Sequence, residues 1–367
     1  MQIRAAVAGR NGKLSMQELT LDEPRAHEVL VRIVACGICR LDVAMVGSPR
    51  VPKPVVLGHE GCGIVEGIGR DVTGLCPDDR VVMSFSSCGH CSSCESGIPA
   101  YCLETVKYNF GCERPDHTTA LSSHGKRVGS HFFGQSAFAT HAICSDRNIV
   151  KIPDDVPLEL MAPLGCGIQT GAGAVLNSLR VKPASSVAVL GTGSVGLAAV
   201  MAARIADAAS IIAVDVHLSR LDTARALGAT HTIQATADRL TAEIAGITGN
   251  GVNYAVDTTG DASVIQQAIE ALAPLGAIAL ISEGSGAAIE VEPSRLMHTG
   301  RSIRGVHQGD SVPQTFIPAL VEHYRHGRLP LEKVVTFYDF DQIETAMADM
   351  IGGRTIKPVL RMTGSKF

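Results

Sequence analysis

A short apolar run followed by closely spaced glycines limits the fold of this chain more than any other feature. Residues 186–190, Ser-Val-Ala-Val-Leu, are typical of a buried parallel strand, and an apolar helical segment follows at 197–206. Gly191, Gly193 and Gly196 lie between them. A G-x-G-x-x-G pattern alone is a weak signal, but between a strand and a helix it indicates a dinucleotide-binding βαβ unit. A glycine-rich turn that binds nothing is the alternative.

The glycines and the following strand also predict which dinucleotide binds. The first glycine permits a tight turn, the second lets the backbone approach a pyrophosphate, and the third allows strand and helix to pack closely. The next apolar strand ends at Asp215. A carboxylate there accepts hydrogen bonds from the adenosine ribose and repels a 2′-phosphate. We therefore predict that NAD, rather than NADP, binds at the glycines, Val195 and Asp215.

A second feature is a cluster of cysteines in a short polar loop. Their spacing is C-x2-C-x2-C-x7-C, and the residues are Cys88, Cys91, Cys94 and Cys102. Four thiolates on turns can surround a zinc ion as a closed structural site. A ferredoxin-type cluster is one alternative, but its fourth cysteine stands closer and precedes a proline. Disulfides are another, disfavoured because the N-terminus shows no secretory signal.

Three further residues predict a second, catalytic zinc site. Cys39, His59 and Cys166 supply two thiolates and one imidazole, a recognised ligand set that leaves a position for water or substrate. Each residue alone has a simpler explanation, because a lone cysteine is usually a small buried hydrophobe and a lone histidine is often a core residue. Their occurrence together favours the metal.

Length and composition limit the remaining possibilities. The chain has 367 residues, so two domains are expected, and 46% hydrophobic residues can fill two cores. A net charge of −4 and the absence of basic runs disfavour nucleic-acid binding. The most apolar stretches contain glycines and charges, so no membrane span is predicted. Eleven cysteines without a signal peptide suggest metal binding in a reducing cytoplasm.

The pattern of elements changes along the chain. Residues 1–166 contain short β-type runs separated by glycine and proline, which predicts a β-rich domain with the zinc ligands. Residues 167–304 alternate apolar strands and helical segments, the signature of a doubly wound parallel sheet in an α/β domain. Residues 305–367, with a helix predicted near 318–324, are expected to return to the first domain.

With these motifs, the chain resembles the zinc-dependent alcohol dehydrogenases of the medium-chain dehydrogenase/reductase family over nearly its whole length. The stretch 163–171, Pro-Leu-Gly-Cys-Gly-Ile-Gln-Thr-Gly, is closest to the aryl (benzyl-type) alcohol dehydrogenase branch. The resemblance implies a GroES-like catalytic domain and a Rossmann domain. It implies an enzyme that interconverts a primary, aromatic or terpenoid alcohol and its aldehyde by hydride transfer to NAD, with zinc as Lewis acid. A homodimer or homotetramer is also implied.

The resemblance further assigns roles to individual residues. Arg40 resembles the arginine that binds the pyrophosphate, Lys357 a second basic contact, Arg220 a basic residue beside the adenosine ribose, and Thr170 a residue against the nicotinamide.

Two acidic residues resemble parts of the catalytic zinc site. Asp42 resembles the carboxylate that orients the zinc-bound histidine, which fixes the tautomer of its ring. Glu60 follows the histidine, as in the family, and is expected near the metal.

The chain departs from the family at the proton relay. Leu41 stands where a serine or threonine hydroxyl is usual, and Ala44 stands at the relay histidine. Leucine cannot pass a proton. A reductase of iminium or conjugated double bonds on the same scaffold is therefore an alternative, and a non-catalytic zinc or nucleotide-binding protein is a third. By resemblance, the substrate pocket is lined by Leu41, Ser84, Phe132 and Phe133.

Overall fold

The computed structural model describes residues 1–235, 239–284 and 286–362. The strands are β1 Gln2–Ala8, β2 Leu14–Leu21, β3 Glu28–Gly37, β4 Val55–Val56, β5 Gly61–Ile68, β6 Arg80–Met83, β7 Leu121–Ser123, β8 Lys126–Val128, β9 His141–Ser145, β10 Ile149–Lys151, β11 Ser186–Leu190, β12 Ser210–Asp215, β13 His231–Gln234, β14 Val252–Asp257, β15 Leu272–Leu280, β16 Ser302–Gly305, β17 Val335–Asp339 and β18 Lys357–Arg361. The α-helices are α1 Arg40–Val46, α2 Ser92–Glu95, α3 Thr105–Phe110, α4 Leu158–Met161, α5 Gly167–Gly173, α6 Ser194–Ile205, α7 Leu218–Leu227, α8 Leu240–Thr248, α9 Ala262–Glu270, α10 Pro293–Thr299, α11 Pro313–Arg325 and α12 Ile343–Ile351.

The described residues form two compact units. The first comprises Met1–Cys166, Val312–Arg325 and residues 335–362, and the second comprises the described residues of Gly167–Ser311 and His326–Val334. Residues 305–311 therefore belong to the second unit, because β16 ends the parallel sheet at Gly305 and Gly309 packs against Gly173 of α5. The division of functions between the two units stays a prediction.

The first unit is built on two sheets. One has the strand order β4-β1-β2-β7-β8, and the other has the order β10-β6-β5-β3-β18-β17 with β9 also paired to β3. The long strand β3 is central because it pairs with β5, β9 and β18. Its last five residues are all buried, so the strand ends inside the unit, just before Cys39.

The second unit contains a six-stranded sheet in which every pairing is parallel. The order β13-β12-β11-β14-β15-β16 is that of a doubly wound nucleotide-binding fold. In β11, residues 187–190 are fully buried, as expected for a parallel strand covered on both faces. The order reverses at β11, so ligands of such sheets bind at the carboxyl end of this strand. The predicted fold class is confirmed.

The helix predicted near 318–324 differs from the observed α11. A proline favours the first turn of a helix because it lacks an amide hydrogen. In the structure Pro313 takes that position, and Pro318 lies inside the helix. The helix consequently begins earlier than predicted.

No helix within residues 1–235, 239–284 and 286–362 combines the length and the apolar character that a membrane crossing needs.

A buried ion pair at the start of β3 generates a prediction about stability. Arg114, whose side chain is 2% exposed, donates to both carboxylate oxygens of Glu28 at 2.7 and 3.0 Å, and it also contacts Asp22. Burial raises the pKa of Glu28, but hydrogen bonds from His131, Arg114 and the Arg25 amide outweigh it and lower this pKa to about 2. Glu28 thus stays ionised far into the acid range.

We expect Glu28→Gln to lower the free energy of unfolding by about 2 to 3 kcal/mol, because the buried Arg114 guanidinium then keeps only the exposed Asp22 as a charged partner, beside the neutral Thr119 carbonyl. The folded pKa lies below the ordinary value of 4.5, so this contribution is complete above pH 4.5 and is lost as the pH falls toward 2. Urea unfolding of both proteins at several pH values measures the difference.

Glu66→Gln is the matched control, because the Arg32–Glu66 pair also involves β3 but both side chains are 35% exposed. We expect a loss below about 1 kcal/mol there. Equal losses for the two variants, or a Glu28 effect that grows as the pH falls below 4.5, would contradict the prediction.

Candidate functional site

Three predicted metal ligands converge in the first unit. Cys39 immediately precedes α1, His59 lies just before β5, and Cys166 ends the short helical segment after α4. One ligand atom from each, together with a carboxylate oxygen of Glu60, lies within 4.8 Å of all the others. Residues from three distant parts of the sequence therefore meet at one point, while their assignment as ligands stays a prediction.

Asp42 connects two of these residues. Its Oδ1 accepts hydrogen bonds from His59 Nδ1 at 2.8 Å and from the Gly58 amide at 3.1 Å, and its Oδ2 accepts one from the Cys39 amide at 2.9 Å. A carboxylate can only accept, so His59 carries its proton on Nδ1 and presents a lone pair on Nε2. The orienting role expected of Asp42 is consistent with this geometry.

The other ring nitrogen of His59 supports a bound metal. His59 Nε2 is fully buried and has no hydrogen-bond partner. A buried polar atom without a partner costs about 1 to 3 kcal/mol. A zinc ion held by Cys39, His59 and Cys166 gives this lone pair its partner, so the donor set fits the group.

The charges around the cluster favour one thiolate. A hydrogen bond from Cys166 lowers the pKa of Cys39 against the effect of burial, and His59 lowers it further. The same hydrogen bond raises the pKa of Cys166. The arrangement thus stabilises negative sulfur beside the imidazole.

Glu60 is held in a buried ion pair. Lys357 Nζ donates to both Glu60 oxygens at 2.9 Å and to the Ile38 carbonyl at 3.0 Å. Burial raises the pKa of Glu60, and Lys357 opposes this shift only in part. An ammonium has three donors, and all are used here. The cofactor contact predicted for Lys357 would require one of these bonds to break.

A glycine makes room for this ion pair. A side-chain carbon at Gly37 would lie 2.1 Å from Glu60 Oε2, so even alanine there would displace the carboxylate.

Aromatic rings pack directly on His59. The Phe133 ring lies 4.5 Å from the imidazole with a tilt of 31°, and the Phe132 ring meets its edge at 5.6 Å and 84°. Both phenylalanines are buried in the core of the first unit, and Leu41 packs against that core. Their predicted role in lining a substrate pocket stays a prediction.

Two buried polar side chains hold the backbone of the site. Gln135 donates from Nε2 to the carbonyls of His59 and Ser84, and its Oε1 accepts from the Gly61 amide. Ser84, predicted as a pocket residue, donates its hydroxyl to the Gly165 carbonyl at 2.8 Å, next to Cys166. Sequence reasoning missed Gln135, because the residues around it do not indicate that its side chain bonds to the backbone of distant residues.

The four cysteines of the polar loop also come together. Cys88 and Cys94 place their sulfurs 3.9 Å apart, and Cys91 and Cys102 place theirs 4.0 Å apart. Zinc–sulfur bonds of about 2.3 Å in a tetrahedron separate sulfurs by about 3.8 Å, whereas a disulfide needs about 2.05 Å. The cysteines are unbridged, and the spacing fits one zinc ion.

Backbone amides stabilise the Cys91 thiolate, whereas burial raises the pKa of Cys94 and raises that of Cys102 to about 12. The Cys91 amide donates to Cys88 Sγ at 3.3 Å, and the Leu103 amide donates to Cys91 Sγ at 3.5 Å. The bond from Leu103, followed by one from Cys94, lowers the pKa of Cys91 to about 6. Thiolate is the form that binds a metal.

In the second unit the glycine turn has the features of a phosphate-binding turn. Gly191 has a φ of +83°, and a side-chain carbon at Gly196 would lie 1.8 Å from the Gly191 carbonyl. Gly193, by contrast, faces open space, with no atom within 4 Å of an added carbon, and it immediately precedes α6. The turn and the helix N-terminus therefore fit a pyrophosphate. Val195 lies in the first turn of α6.

Asp215 is anchored at the end of β12. Its Oδ2 accepts from the Thr192 amide and hydroxyl, and its Oδ1 accepts from the His217 amide. Burial raises the pKa of Asp215, but the His217 and Thr192 hydrogen bonds lower it below its ordinary value. Arg220 lies 4.0 Å away and has a buried Nε without a hydrogen-bond partner. An ionised carboxylate thus stands beside the glycine turn.

The remaining predicted cofactor residues lie in different units. Arg40 is exposed at the start of α1 in the first unit. Thr170 is buried in α5 of the second unit, where its hydroxyl donates to Gln308 Oε1 at 3.5 Å. Their roles stay predictions.

Comparisons with known proteins agree with this architecture. The family "Alcohol dehydrogenase GroES-like domain" matches residues 25–154, and "Zinc-binding dehydrogenase" matches residues 194–323. Geraniol dehydrogenase of Castellaniella defragrans is 42% identical over 352 residues, which is 95% of this chain and 94% of that protein.

Solved structures give the same result. The crystal structure of benzyl alcohol dehydrogenase from Acinetobacter calcoaceticus is 43% identical, with a TM-score of 0.95 over 99% of this chain and 100% of that one. An alcohol dehydrogenase zinc-binding domain protein from Burkholderia ambifaria is 46% identical, with a TM-score of 0.96 over 99% of both chains. The predicted resemblance is confirmed: the chain belongs to the zinc-dependent medium-chain alcohol dehydrogenase family and is an alcohol/aldehyde oxidoreductase.

Proposed function

We propose that the enzyme uses NAD to oxidise primary alcohols that carry an aromatic or terpenoid group, and that it reduces the corresponding aldehydes. The observation that carries the proposal is the buried Nε2 of His59, which has no hydrogen-bond partner and lies beside the sulfurs of Cys39 and Cys166. The names of the geraniol and benzyl alcohol dehydrogenases support the substrate class.

When bound, zinc supplies a Lewis acid for the substrate oxygen, and NAD supplies the hydride acceptor. The side chains then have separate tasks. Cys39, His59 and Cys166 hold the metal, and Asp42 keeps the His59 proton on Nδ1 through a 2.8 Å hydrogen bond. Phe132 and Phe133 exclude water from the imidazole, since both are buried against it. Leu41 contributes apolar surface and cannot carry a proton.

The four-cysteine loop has a structural role in this proposal. A closed set of four sulfurs leaves no position for substrate. We assign one zinc ion to this loop and one to the Cys39, His59 and Cys166 cluster.

Assembly and location complete the proposal. Family resemblance supports a homodimer or homotetramer. The number of cysteines that the sequence assigns to metal supports a reducing, cytoplasmic environment.

Zinc content and NADH formation test the proposed activity. The purified enzyme should contain about two zinc ions per chain and should reduce NAD with benzyl alcohol or geraniol, measured as NADH absorbance. Cys166→Ser should lower the zinc content to about one and turnover by at least 100-fold, because it removes one of three ligands. Cys62→Ser is the control, since Cys62 is a buried thiol on β5 outside both clusters. Activity limited to conjugated enals or iminium compounds would favour the alternative reductase, and no redox activity would leave only a binding protein.

Removal of the Asp215 charge tests the proposed choice of cofactor. Asp215→Asn keeps one oxygen acceptor for the Thr192 amide and hydroxyl, gives up the bond from the His217 amide, and removes the charge that repels a 2′-phosphate. We expect kcat/KM with NADP to rise at least tenfold relative to that with NAD, which corresponds to about 1.4 kcal/mol. Asp222→Asn on α7 is the control, because Asp222 pairs with Arg225 at the surface. A ratio that changes equally in both variants would count against the role of Asp215.

A hydroxyl introduced at Leu41 tests the effect of the missing proton relay. General acid–base assistance contributes about 10²- to 10⁴-fold, so Leu41→Ser should raise benzyl alcohol turnover when hydride transfer limits the rate. Leu41→Ala creates space without a hydroxyl and should not raise it. A deuterated alcohol identifies the conditions in which hydride transfer is limiting. An unchanged rate in Leu41→Ser, or equal gains in both variants, would remove Leu41 as the cause.

A further inference from the structure

An additional group of metal-ligating side chains lies on the outer side of the four-cysteine loop. Cys88, His90 and Glu104 each place one ligand atom within 4.8 Å of the other two. Cys88 belongs to the four-cysteine set, whereas His90 and Glu104 have no role in either proposed zinc site. This group therefore needs its own explanation.

The ring of His90 contacts the backbone through one nitrogen and faces Glu104 with the other. Its Nδ1 lies 3.0 Å from the Cys88 carbonyl. A carbonyl can only accept a hydrogen bond, so Nδ1 donates its hydrogen there. Histidines that bind metals commonly donate their second nitrogen to a backbone carbonyl in this way.

The distance between His90 and Glu104 suits two ligands of one metal ion and is also that of an ion pair. His90 Nε2 and Glu104 Oε2 are 3.5 Å apart. A hydrogen bond between such atoms normally spans about 2.7 to 3.2 Å. Zinc bonds of about 2.0 to 2.2 Å place two ligands of a tetrahedron about 3.3 to 3.6 Å apart. The two side chains are thus spaced as neighbouring ligands of one ion.

The group is also open to solvent. The His90 side chain is 71% exposed and that of Glu104 is 37% exposed, while Cys88 is half-buried. An ion can therefore reach His90 and Glu104 from solution without any movement of the loop.

We propose that Cys88, His90 and Glu104 form an outer binding site for a divalent transition-metal cation such as zinc or cobalt(II). The Cys88 sulfur bridges this ion and the ion of the four-cysteine site, and water completes the coordination. The bridge offers an arriving zinc ion a path from exposed ligands to the inner cysteines. The proposal rests on the assignment of zinc to the four cysteines.

Cobalt(II) added to the zinc-loaded enzyme tests the outer site. Zinc and cobalt per chain are measured by elemental analysis after equilibration at graded free Co²⁺, and near-ultraviolet absorption reports cobalt bound to thiolate. We expect zinc to stay at about two per chain while one cobalt binds with a sulfur-to-cobalt band. His90→Ala and Glu104→Gln should each weaken cobalt binding at least tenfold.

His117→Ala is the matched control, because His117 is an exposed histidine paired with Glu113 and belongs to none of the three ligand groups found among the described residues. It should leave cobalt binding unchanged. Absence of a third ion in the wild type, equal binding in His90→Ala, or binding without the sulfur band would each overturn the proposal. If Cys91→Ser leaves the zinc content unchanged before cobalt is added, the four-cysteine assignment is wrong, and the outer site falls with it.

Discussion

The hydrogen bonds of Asp42 are the interactions on which the catalytic cluster depends. Its two oxygens hold the His59 ring, the Gly58 amide and the Cys39 amide, and the carboxylate itself is fully buried. Because the side chain lies in the first turn of α1, that helix determines where the imidazole points. A buried carboxylate with all these partners satisfied also explains how a histidine can present a bare lone pair in a dry interior.

The two proposed zinc sites differ in how the chain assembles them. The four-cysteine loop draws all its ligands from 15 consecutive residues, so short turns suffice to bring the sulfurs together. The other cluster joins residues from before α1, from before β5 and from the end of the first unit's long N-terminal segment. Its geometry consequently depends on the packing of β3, β5 and the backbone bonds made by Gln135 and Ser84.

Some residues have contacts in the structure that local sequence patterns do not indicate. Lys357 uses its donors on Glu60 and Ile38, although its position in the family pattern suggests a cofactor contact. Phe133 lies against His59, where a hydrophobic residue in a loop would be expected simply to fill the core. Pro318 lies within α11 rather than at its start. The contacts of Lys357 and Phe133 depend on partners distant in sequence, which periodicity and spacing do not identify, whereas the start of α11 depends on which of two nearby prolines takes the first turn.

The sequence by itself determined the fold class, the family and the candidate ligands, because spaced cysteines and a strand–glycine–helix unit are local patterns with direct physical causes. It also marked the substitution at Leu41. Only the tertiary structure decided which atoms meet. It placed His59 Nε2 without a hydrogen-bond partner, buried the Lys357–Glu60 ion pair, bonded Gln135 to the His59 carbonyl, and set the distance between His90 and Glu104. Apart from the His90–Glu104 spacing, which depends on how one short loop folds, those contacts join segments far apart in the chain, and a linear pattern carries no information about such distances.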